Sequence, residues 1–340
     1  MMYIDIPQKT KVDIKALHWN YIQNRCSSIE RGRKQNRKQC LINHLDAFEK
    51  QYSSQYRIPK NLGKSFFDDL EIITCGEFTD LLKMKRKYSC LHIKYQIIHK
   101  DEKVRNLNKY EKDLYDLGVR IRKFLDYDTF NKSEETNWGA RRFLLKLHES
   151  VCPYCNAQYI YVSSGDDGIK PQIDHFFPKA EYPIFSCSIY NMVPSCYNCN
   201  HTKSDKEKSI LSPYVRGFYD DATFGIKMGS RTLSNVEKVD LNKDIEICLK
   251  AKESSSIKNQ VKNSKMIFKL EDSYNCYQIE LIDLIKRIQK NNKIKVQNNR
   301  KILGTEKEFK SLILGIPLGA EMKNYLFKKL KEDFWKKFHK

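Results

Sequence analysis

Four cysteines form two C-x-x-C pairs near the middle of the 340-residue chain. They are Cys152 and Cys155 in the string Cys-Pro-Tyr-Cys, and Cys196 and Cys199 in Cys-Tyr-Asn-Cys. A C-x-x-C turn holds two thiolates at the separation that tetrahedral zinc requires, and two such turns complete a closed four-sulfur site. Redox-active C-x-x-C motifs occur singly beside a βαβ pattern, which this sequence does not show. The two pairs therefore predict one structural zinc site.

Polar residues suited to hydrolysis lie between and just after the two cysteine pairs. The chain reads D-H-x-x-P-K from Asp174, has Asn191 just before the second pair, and continues from Cys199 into Asn200. Neighbouring side chains on a strand point to opposite faces unless its end is twisted, so Asp174 can face a metal while His175 faces a water. A lone histidine or asparagine is more often structural. Their joint placement between the pairs favours chemistry.

The order and spacing of these residues resemble the HNH endonuclease family. The pattern C-x-x-C, D-H-x-x-P-K, N-x-x-x-x-C-x-x-C-N-x-x-K covers Cys152 to Lys203. The ββα-metal fold of that family is commonly held together by two C-x-x-C pairs. The resemblance implies a mainly α protein with a small α+β insert. Helical N- and C-terminal regions would surround a ββα-metal core that is held together by the four-cysteine zinc site.

The resemblance also implies a role for each motif residue. His175 is the general base that activates water, Asp174 is a ligand of a catalytic divalent ion, and Asn191 braces the loop that bears His175. Asn200 stands where the motif has its final metal-binding histidine, and its amide oxygen can ligate a hard cation. His201 is the alternative ligand. The two residues lie about 100° apart on a helix, so only one should face Asp174.

The chemistry implied is hydrolysis of a phosphodiester bond. Magnesium or manganese between Asp174 and Asn200 would polarise the phosphate, and neutral His175 would take a proton from the attacking water. Lys179 and Lys203 are candidates for contact with nucleic-acid phosphates, although either can equally be a surface lysine. DNA is favoured over RNA as the substrate, but metal and base address a bond that is common to both.

A looser resemblance extends to the HNH effectors of bacterial anti-phage defence systems, including the Septu type. It adds Tyr182-Pro183 and the string Leu211–Tyr214 to the motif. Those effectors act with a partner ATPase, so the resemblance implies the same for this chain. The alternative is a zinc-stabilised nucleic-acid-binding or adaptor protein without catalysis. The joint presence of Asp174, His175 and Asn191 favours the enzyme, because binding alone does not need this set.

Composition is consistent with a nucleic-acid partner. The chain has 62 Lys plus Arg against 42 Asp plus Glu, a formal charge of +20, and the excess is spread along its length. This favours a polyanionic partner. No stretch approaches the ~20 apolar residues of a membrane span, and the N-terminus lacks the apolar core of a signal peptide. We therefore expect a cytoplasmic protein with no membrane partner.

The pattern of apolar residues predicts three regions. These are a helical N-terminal region (1–133), the nuclease core with its four-cysteine site (134–214) and a mostly helical, basic C-terminal region (215–340). The predicted helices cover 134–148, 279–289 and 320–338, and a further helix begins near Cys199. The predicted β segments are a hairpin with strands over 158–162 and up to Ile173, a second β segment near 190–193, and a strand pair near 223–228. A basic cluster of Arg31, Arg33, Lys34, Arg37 and Lys38 either meets phosphates or forms a solvated helix face.

Overall fold

The computed structural model describes residues 1–29, 35–94, 107–133, 136–163, 165, 168–204, 209–228, 231–233, 245–291 and 305–339. Within these ranges the chain is mostly helical and contains two small antiparallel sheets, as the sequence predicts in outline. Arg31, Arg33, Lys34 and Glu134 lie outside the described residues, as does part of the turn predicted after Ser163. None of the helices described is long and apolar enough to cross a membrane.

The N-terminal part of the chain is a set of packed helices. They are α1 (Gln8–Ser27), α2 (Arg37–Tyr52), α3 (Leu62–Asp68), α4 (Leu70–Cys75), α5 (Phe78–Lys87), α6 (Lys109–Leu125) and α7 (Tyr127–Lys132). Helix α6 begins at a capping box, in which Asn108 and Glu111 each accept a hydrogen bond from the other's backbone N–H. Leu114, Leu117 and Ile121 recur at helical spacing in the sequence, and all three are buried, so this face of α6 belongs to the core.

The central part of the chain contains α8 (Ala140–Leu147), β1 (Gln172–His175), β2 (Met192–Ser195) and α9 (Tyr197–Lys203). Strands β1 and β2 are antiparallel, with Asp174 opposite Val193 and His175 opposite Met192. The prediction of a second β segment followed by a helix is therefore confirmed within about two residues. Helix α8, in contrast, begins at Ala140 and not near Glu134. The chain turns at Gly139, where a Cβ would lie 2.3 Å from that of Ser133.

The predicted hairpin between 158–162 and Ile173 is wrong, because both segments have other partners. Tyr159 bridges Val151, and the Cys152 N–H donates to the Gln158 carbonyl at 2.9 Å, so this segment folds back on the first cysteine pair. Strand β1 pairs with β2 instead. The connecting turn is held from inside by buried Arg141, whose guanidinium donates to the Ser163 carbonyl at 2.7 Å and to the Gly168 carbonyl at 2.5 Å.

The C-terminal part combines a sheet with helices. Strands β3 (Ala222–Met228), β4 (Arg231–Leu233) and β5 (Ile245–Ala251) form an antiparallel sheet in the order β4-β3-β5. The helices are α10 (Lys258–Ile267), α11 (Leu270–Asn275), α12 (Gln278–Lys290), α13 (Glu306–Leu314) and α14 (Lys328–Phe338). The strand pair predicted near 223–228 and the helix predicted over 279–289 are thus confirmed. The sheet contains a third strand in addition to the predicted pair.

The last helix begins at Lys328, and the prediction that it begins near residue 320 is wrong. Phe327 has a left-handed backbone with φ of 55° and donates its N–H to the Asn156 carbonyl at 2.8 Å. Asn156 in turn donates its side-chain amide to the Tyr325 carbonyl at 3.0 Å. This docking against the first cysteine turn stops the helix from extending backwards.

The three regions share one continuous apolar core, which runs from Met1 to Phe338. Backbone bonds also join the N-terminal region to the central one: Met2 donates to Pro153 at 2.7 Å, and Ile4 donates to Pro213 at 2.9 Å. The division of the chain at residues 133 and 214 stays a prediction.

A buried ion pair fastens α14 to strand β3. The Lys329 ammonium lies 2.5 Å from the Asp333 carboxylate and donates to the Ala222 carbonyl at 2.9 Å. Asp333 accepts from the Phe224 N–H at 2.9 Å, and burial raises the pKa of its carboxyl. The aspartate therefore depends on Lys329 to stay charged inside the core.

Replacing Lys329 with Met should lower the free energy of unfolding by about 3–5 kcal/mol, because it leaves Asp333 buried without its cation. Urea denaturation measures the change. Lys336→Met on the same helix is the matched control; its ammonium is exposed and 3.3 Å from exposed Asp220, so the change should be within about 1 kcal/mol. Equal midpoints for the two variants would show that the pair does not fasten the helix.

Candidate metal centre and active site

The four paired cysteines meet at one place. The sulfurs of Cys152, Cys155, Cys196 and Cys199 all lie within 4.8 Å of one another, and all four residues are buried. The Cys155 and Cys196 sulfurs are 4.0 Å apart. Tetrahedral zinc with Zn–S bonds of about 2.3 Å needs sulfurs about 3.8 Å apart. The arrangement therefore fits a structural zinc ion, bound by these four residues.

Backbone N–H groups around the cluster favour negatively charged sulfur. The N–H of Ala157 donates to the Cys155 sulfur, that of Cys196 to the Cys152 sulfur and that of Cys199 to the Cys196 sulfur, each at 3.4 Å. Hydrogen bonds from the Cys152, Cys155 and Cys199 thiols lower the pKa of Cys196, whereas burial raises that of Cys152 and hydrogen bonds with the neighbouring thiols raise that of Cys199. Cys196 is therefore the sulfur that these surroundings favour in its charged form, which is the form that a metal ion binds.

Asp174 sits on β1 at the centre of a buried polar network. One carboxylate oxygen accepts from the Tyr154 hydroxyl at 2.6 Å, and the other accepts from the Lys203 ammonium at 3.0 Å. Lys203 also donates to the His175 carbonyl at 2.6 Å and is only 1% exposed. Its ammonium therefore points inward, away from any nucleic acid at the surface. The predicted phosphate contact of Lys203 would need this side chain to leave Asp174.

His175 follows on the same strand and is held by its ring. Its Nε2 lies 2.8 Å from the Ser186 carbonyl. A carbonyl oxygen can only accept, so Nε2 carries the hydrogen and Nδ1 keeps its lone pair. Burial, together with the positive charges of Lys179 and Lys203, lowers the pKa of His175 to about 3. The imidazole is therefore neutral near pH 7, which is the form that can accept a proton.

Asn191 is fully buried and ties the loop after His175 to the start of β2. Its side-chain oxygen accepts from the Phe177 N–H at 2.7 Å, and its amide nitrogen donates to the Phe177 carbonyl at 3.0 Å and the Phe185 carbonyl at 2.9 Å. The Asn191 carbonyl also accepts from the Phe176 N–H at 2.8 Å. This is the bracing geometry that the resemblance implies. Its importance for catalysis stays a prediction.

An open cleft of about 440 Å³ brings the remaining predicted residues together. Asp174, His175, Lys179, Asn200 and His201 all line it. The Lys179 ammonium lies over the Tyr127 ring, 4.7 Å from its centre, and 3.9 Å from exposed Asp128. The choice between Asn200 and His201 stays open, because both side chains reach the cleft. The His201 ring stacks on that of Tyr197 one turn earlier, with centres 5.7 Å apart.

Two tyrosines contact the site that sequence reasoning did not single out. Tyr154 lies inside the first cysteine turn, stacks on Phe268 with ring centres 4.3 Å apart and donates to Asp174. Tyr127 packs edge-on against the His175 ring at 4.5 Å. The position of Tyr154 between two paired cysteines was a visible signal for it. Tyr127 comes from a distant helix and had none.

Two known proteins share a segment with this chain. A stretch of 94 residues is 33% identical to Protein ea31 of Escherichia phage lambda, which covers 25% of this chain and 29% of that protein. A stretch of 92 residues is 27% identical to the Septu protein PtuB of Bacillus thuringiensis, covering 25% and 34%. The similarity thus spans about a third of each relative. No protein-family model matches the chain, and no solved structure does.

Replacing Cys196 with Ser should lower zinc from about one ion per chain to near zero and destabilise the centre of the protein, because binding and folding are coupled in such sites. Elemental analysis and thermal unfolding measure the two effects. Cys276→Ser is the matched control, since Cys276 is exposed and remote in sequence from the pairs. Full zinc content in the Cys196 variant would exclude the four-sulfur site.

Proposed function

We propose that this chain is a metal-dependent endonuclease that hydrolyses phosphodiester bonds in nucleic acid, with DNA preferred over RNA. One observation carries the proposal: a buried, neutral imidazole, His175, is oriented by the Ser186 carbonyl beside a carboxylate in an open cleft. A histidine in the core normally has no reason to line such a cleft. A general base, in contrast, needs both neutrality and access to water.

The donor set beside His175 fits a hard divalent ion. A carboxylate oxygen of Asp174 and the amide oxygen of Asn200 would hold magnesium or manganese, which would polarise the scissile phosphate and stabilise the leaving oxygen. Each Asp174 oxygen accepts one hydrogen bond and has a further lone pair. The bonds from Tyr154 and Lys203 fix the carboxylate in one orientation.

In the proposed reaction His175 acts through Nδ1. It takes a proton from water as the water oxygen forms its bond to phosphorus, and the bond from phosphorus to the 3′ oxygen breaks. The Ser186 carbonyl keeps the opposite ring nitrogen protonated and stabilises the imidazolium that results. Lys179, with its ammonium at the rim of the cleft, neutralises phosphate charge.

The biological setting proposed is defence against phage. It rests on the distant similarity to the Septu protein PtuB and on the motif, and it includes a partner ATPase as the motif resemblance implies. The basic composition supports a nucleic-acid substrate.

The alternative is a zinc-stabilised nucleic-acid-binding or adaptor protein without catalysis. One observation favours it: the Lys203 ammonium already neutralises the Asp174 carboxylate, which a catalytic metal ion would otherwise do. If that ion pair persists with magnesium present, the cleft binds phosphate without cutting.

Replacing His175 with Ala should reduce cleavage of plasmid DNA by about 10²–10⁴-fold, because a general base contributes that much, while binding stays nearly unchanged. Gel analysis of nicking and a binding titration measure the two. His148→Asn is the matched control: His148 is exposed with φ of 54°, a conformation that Asn tolerates. If the alanine variant cuts as fast as the parent protein, His175 is not the general base. If the parent protein itself leaves the plasmid uncut, the alternative function as an adaptor without catalysis is favoured.

Brief EDTA treatment should stop cleavage while zinc stays near one ion per chain, because a few hard oxygen donors hold an ion less tightly than four thiolates. Added magnesium or manganese should restore cutting. Asn200→Ala should abolish this recovery and His201→Ala should not. If His201→Ala abolishes the recovery and Asn200→Ala does not, His201 is the metal ligand. Cleavage that continues in EDTA would contradict the metal-dependent mechanism.

A further inference from the structure

Two cavities lead away from the active-site cleft along helix α6. The nearer one, of about 330 Å³, shares Tyr127 and Lys179 with the cleft. The farther one, a small pocket of about 70 Å³, lies between α2 and α6 and shares Lys123 with the nearer one. The shared residues make the three cavities neighbours on one surface. This row of neighbouring cavities, from His175 to α2, is called the path below.

Among the described residues that line the two outer cavities, the charged ones are mainly basic. These are Arg37, Arg120, Arg122, Lys123 and Lys179 on the positive side, with Asp126 and Asp128 on the negative side. Asp126 is already paired with Arg25 at 2.6 Å. The path therefore has an excess of positive charge, which suits an anionic ligand.

Two of these guanidinium groups have a buried nitrogen with no acceptor. Within the described ranges, Nε of Arg37 and Nε of Arg122 are shielded from solvent and make no hydrogen bond. A buried donor without an acceptor costs free energy, and a shift of either side chain toward a bound phosphate oxygen would offset that cost. At the mouth of the farther cavity the Arg120 guanidinium lies 3.2 Å from the His44 ring nitrogen Nε2.

The length of the path fits a polymer better than a single small anion. Arg120 and Lys123 lie one turn apart on α6, and Tyr127 follows four residues later at the cleft. From Arg120 to the end of α6 at Leu125 the helix rises about 7.5 Å, at 1.5 Å per residue, and the left-handed Asp126 separates it from Tyr127 on the next helix. One strand of B-DNA has a phosphate about every 3.4 Å along its axis, so about two phosphates fit along this part of α6.

We infer that Arg37, Arg120, Arg122, Lys123 and Lys179 form a track for the phosphate backbone of a DNA strand whose scissile phosphate lies beside His175. The inference rests on the proposed function. The track contacts phosphates and does not read bases, so the affinity it supplies is independent of sequence. It also gives the N-terminal helices a role in binding substrate.

The test is the salt dependence of binding, measured with the full chain carrying His175→Ala so that substrate is not cut. Arg37→Glu, Arg120→Glu and Lys123→Glu are combined, and labelled 30-mers of duplex DNA, single-stranded DNA and RNA are titrated by fluorescence anisotropy. Each lost phosphate contact lowers the slope of log affinity against log salt by roughly 0.9. We expect the slope for DNA to fall by about 2–3 and the affinity at low salt to fall at least about tenfold.

The matched control carries the same change of charge elsewhere: Lys262→Glu, Lys290→Glu and Lys307→Glu, three exposed lysines that line neither the cleft nor the track. Its slope should change by less than a third of that of the track variant. If the glutamate variant fails to fold by circular dichroism, Arg120→Gln with Lys123→Gln replaces it, with an expected slope loss of about 1.8.

The outcomes separate the track from the proposed function. Equal slopes for track and control variants, in a protein whose parent form cuts DNA, would overturn the track and leave the nuclease standing. A selective loss with the track variant, when the parent form does not cut, would support the track as a binding surface and reject the nuclease. A loss seen only with RNA would overturn the assignment to DNA, as would a parent protein that binds none of the three polymers.

Discussion

The convergence of four cysteine sulfurs is the constraint on which the centre of this structure depends. It brings residues 152–155 within bonding range of a common point with residues 196–199, more than forty positions away. Everything between them must form a loop that leaves and returns to that point. The strand pair β1–β2 is the base of this loop, and both Asp174 and His175 lie on it. A shift in either cysteine turn would therefore move the carboxylate and the imidazole together.

The sulfur cluster is also the place where the terminal parts of the chain attach. The Tyr274 hydroxyl donates to the Cys155 carbonyl at 2.7 Å, and Asn156 exchanges bonds with the segment just before α14. The N-terminal segment donates to Pro153 inside the first cysteine turn. Metal binding at such a cluster would be linked to the folding of residues far from it in sequence, since the same turns support all three parts.

Polar groups in the site constrain one another in a similar way. Asp174 is buried, so its charge needs compensation, and Lys203 provides it from the last turn of α9. The same ammonium binds the His175 carbonyl, while Asn191 and the Ser186 carbonyl hold the loop and the ring. The imidazole thus has little rotational freedom. Preorganisation of this kind is consistent with the hydrolytic role proposed above, because a reacting group must be in place before the transition state forms.

Much of the local architecture was predictable from the sequence alone. The two cysteine pairs, the residues between them and the apolar stripe of α6 all follow from patterns that extend over a few neighbouring positions. Sequence also indicated which polar residues belong together, and the structure places Asp174, His175 and Asn200 around one cleft. Short-range spacing and capping are physical properties of the local backbone, so they are readable without the fold.

Other features were decided only by the tertiary structure. The sequence offered Lys203 either as a contact for nucleic-acid phosphate or as a surface lysine, yet it is buried because Asp174, 29 residues earlier, needs a cation there. The pairing of β1 with β2 and the late start of α14 likewise depend on partners far away in the chain. The path of basic residues along α6 combines side chains from α2, α6 and the loop after β1. Such contacts arise from the competition of the whole chain for buried hydrogen bonds and charge compensation, and no local pattern records that outcome.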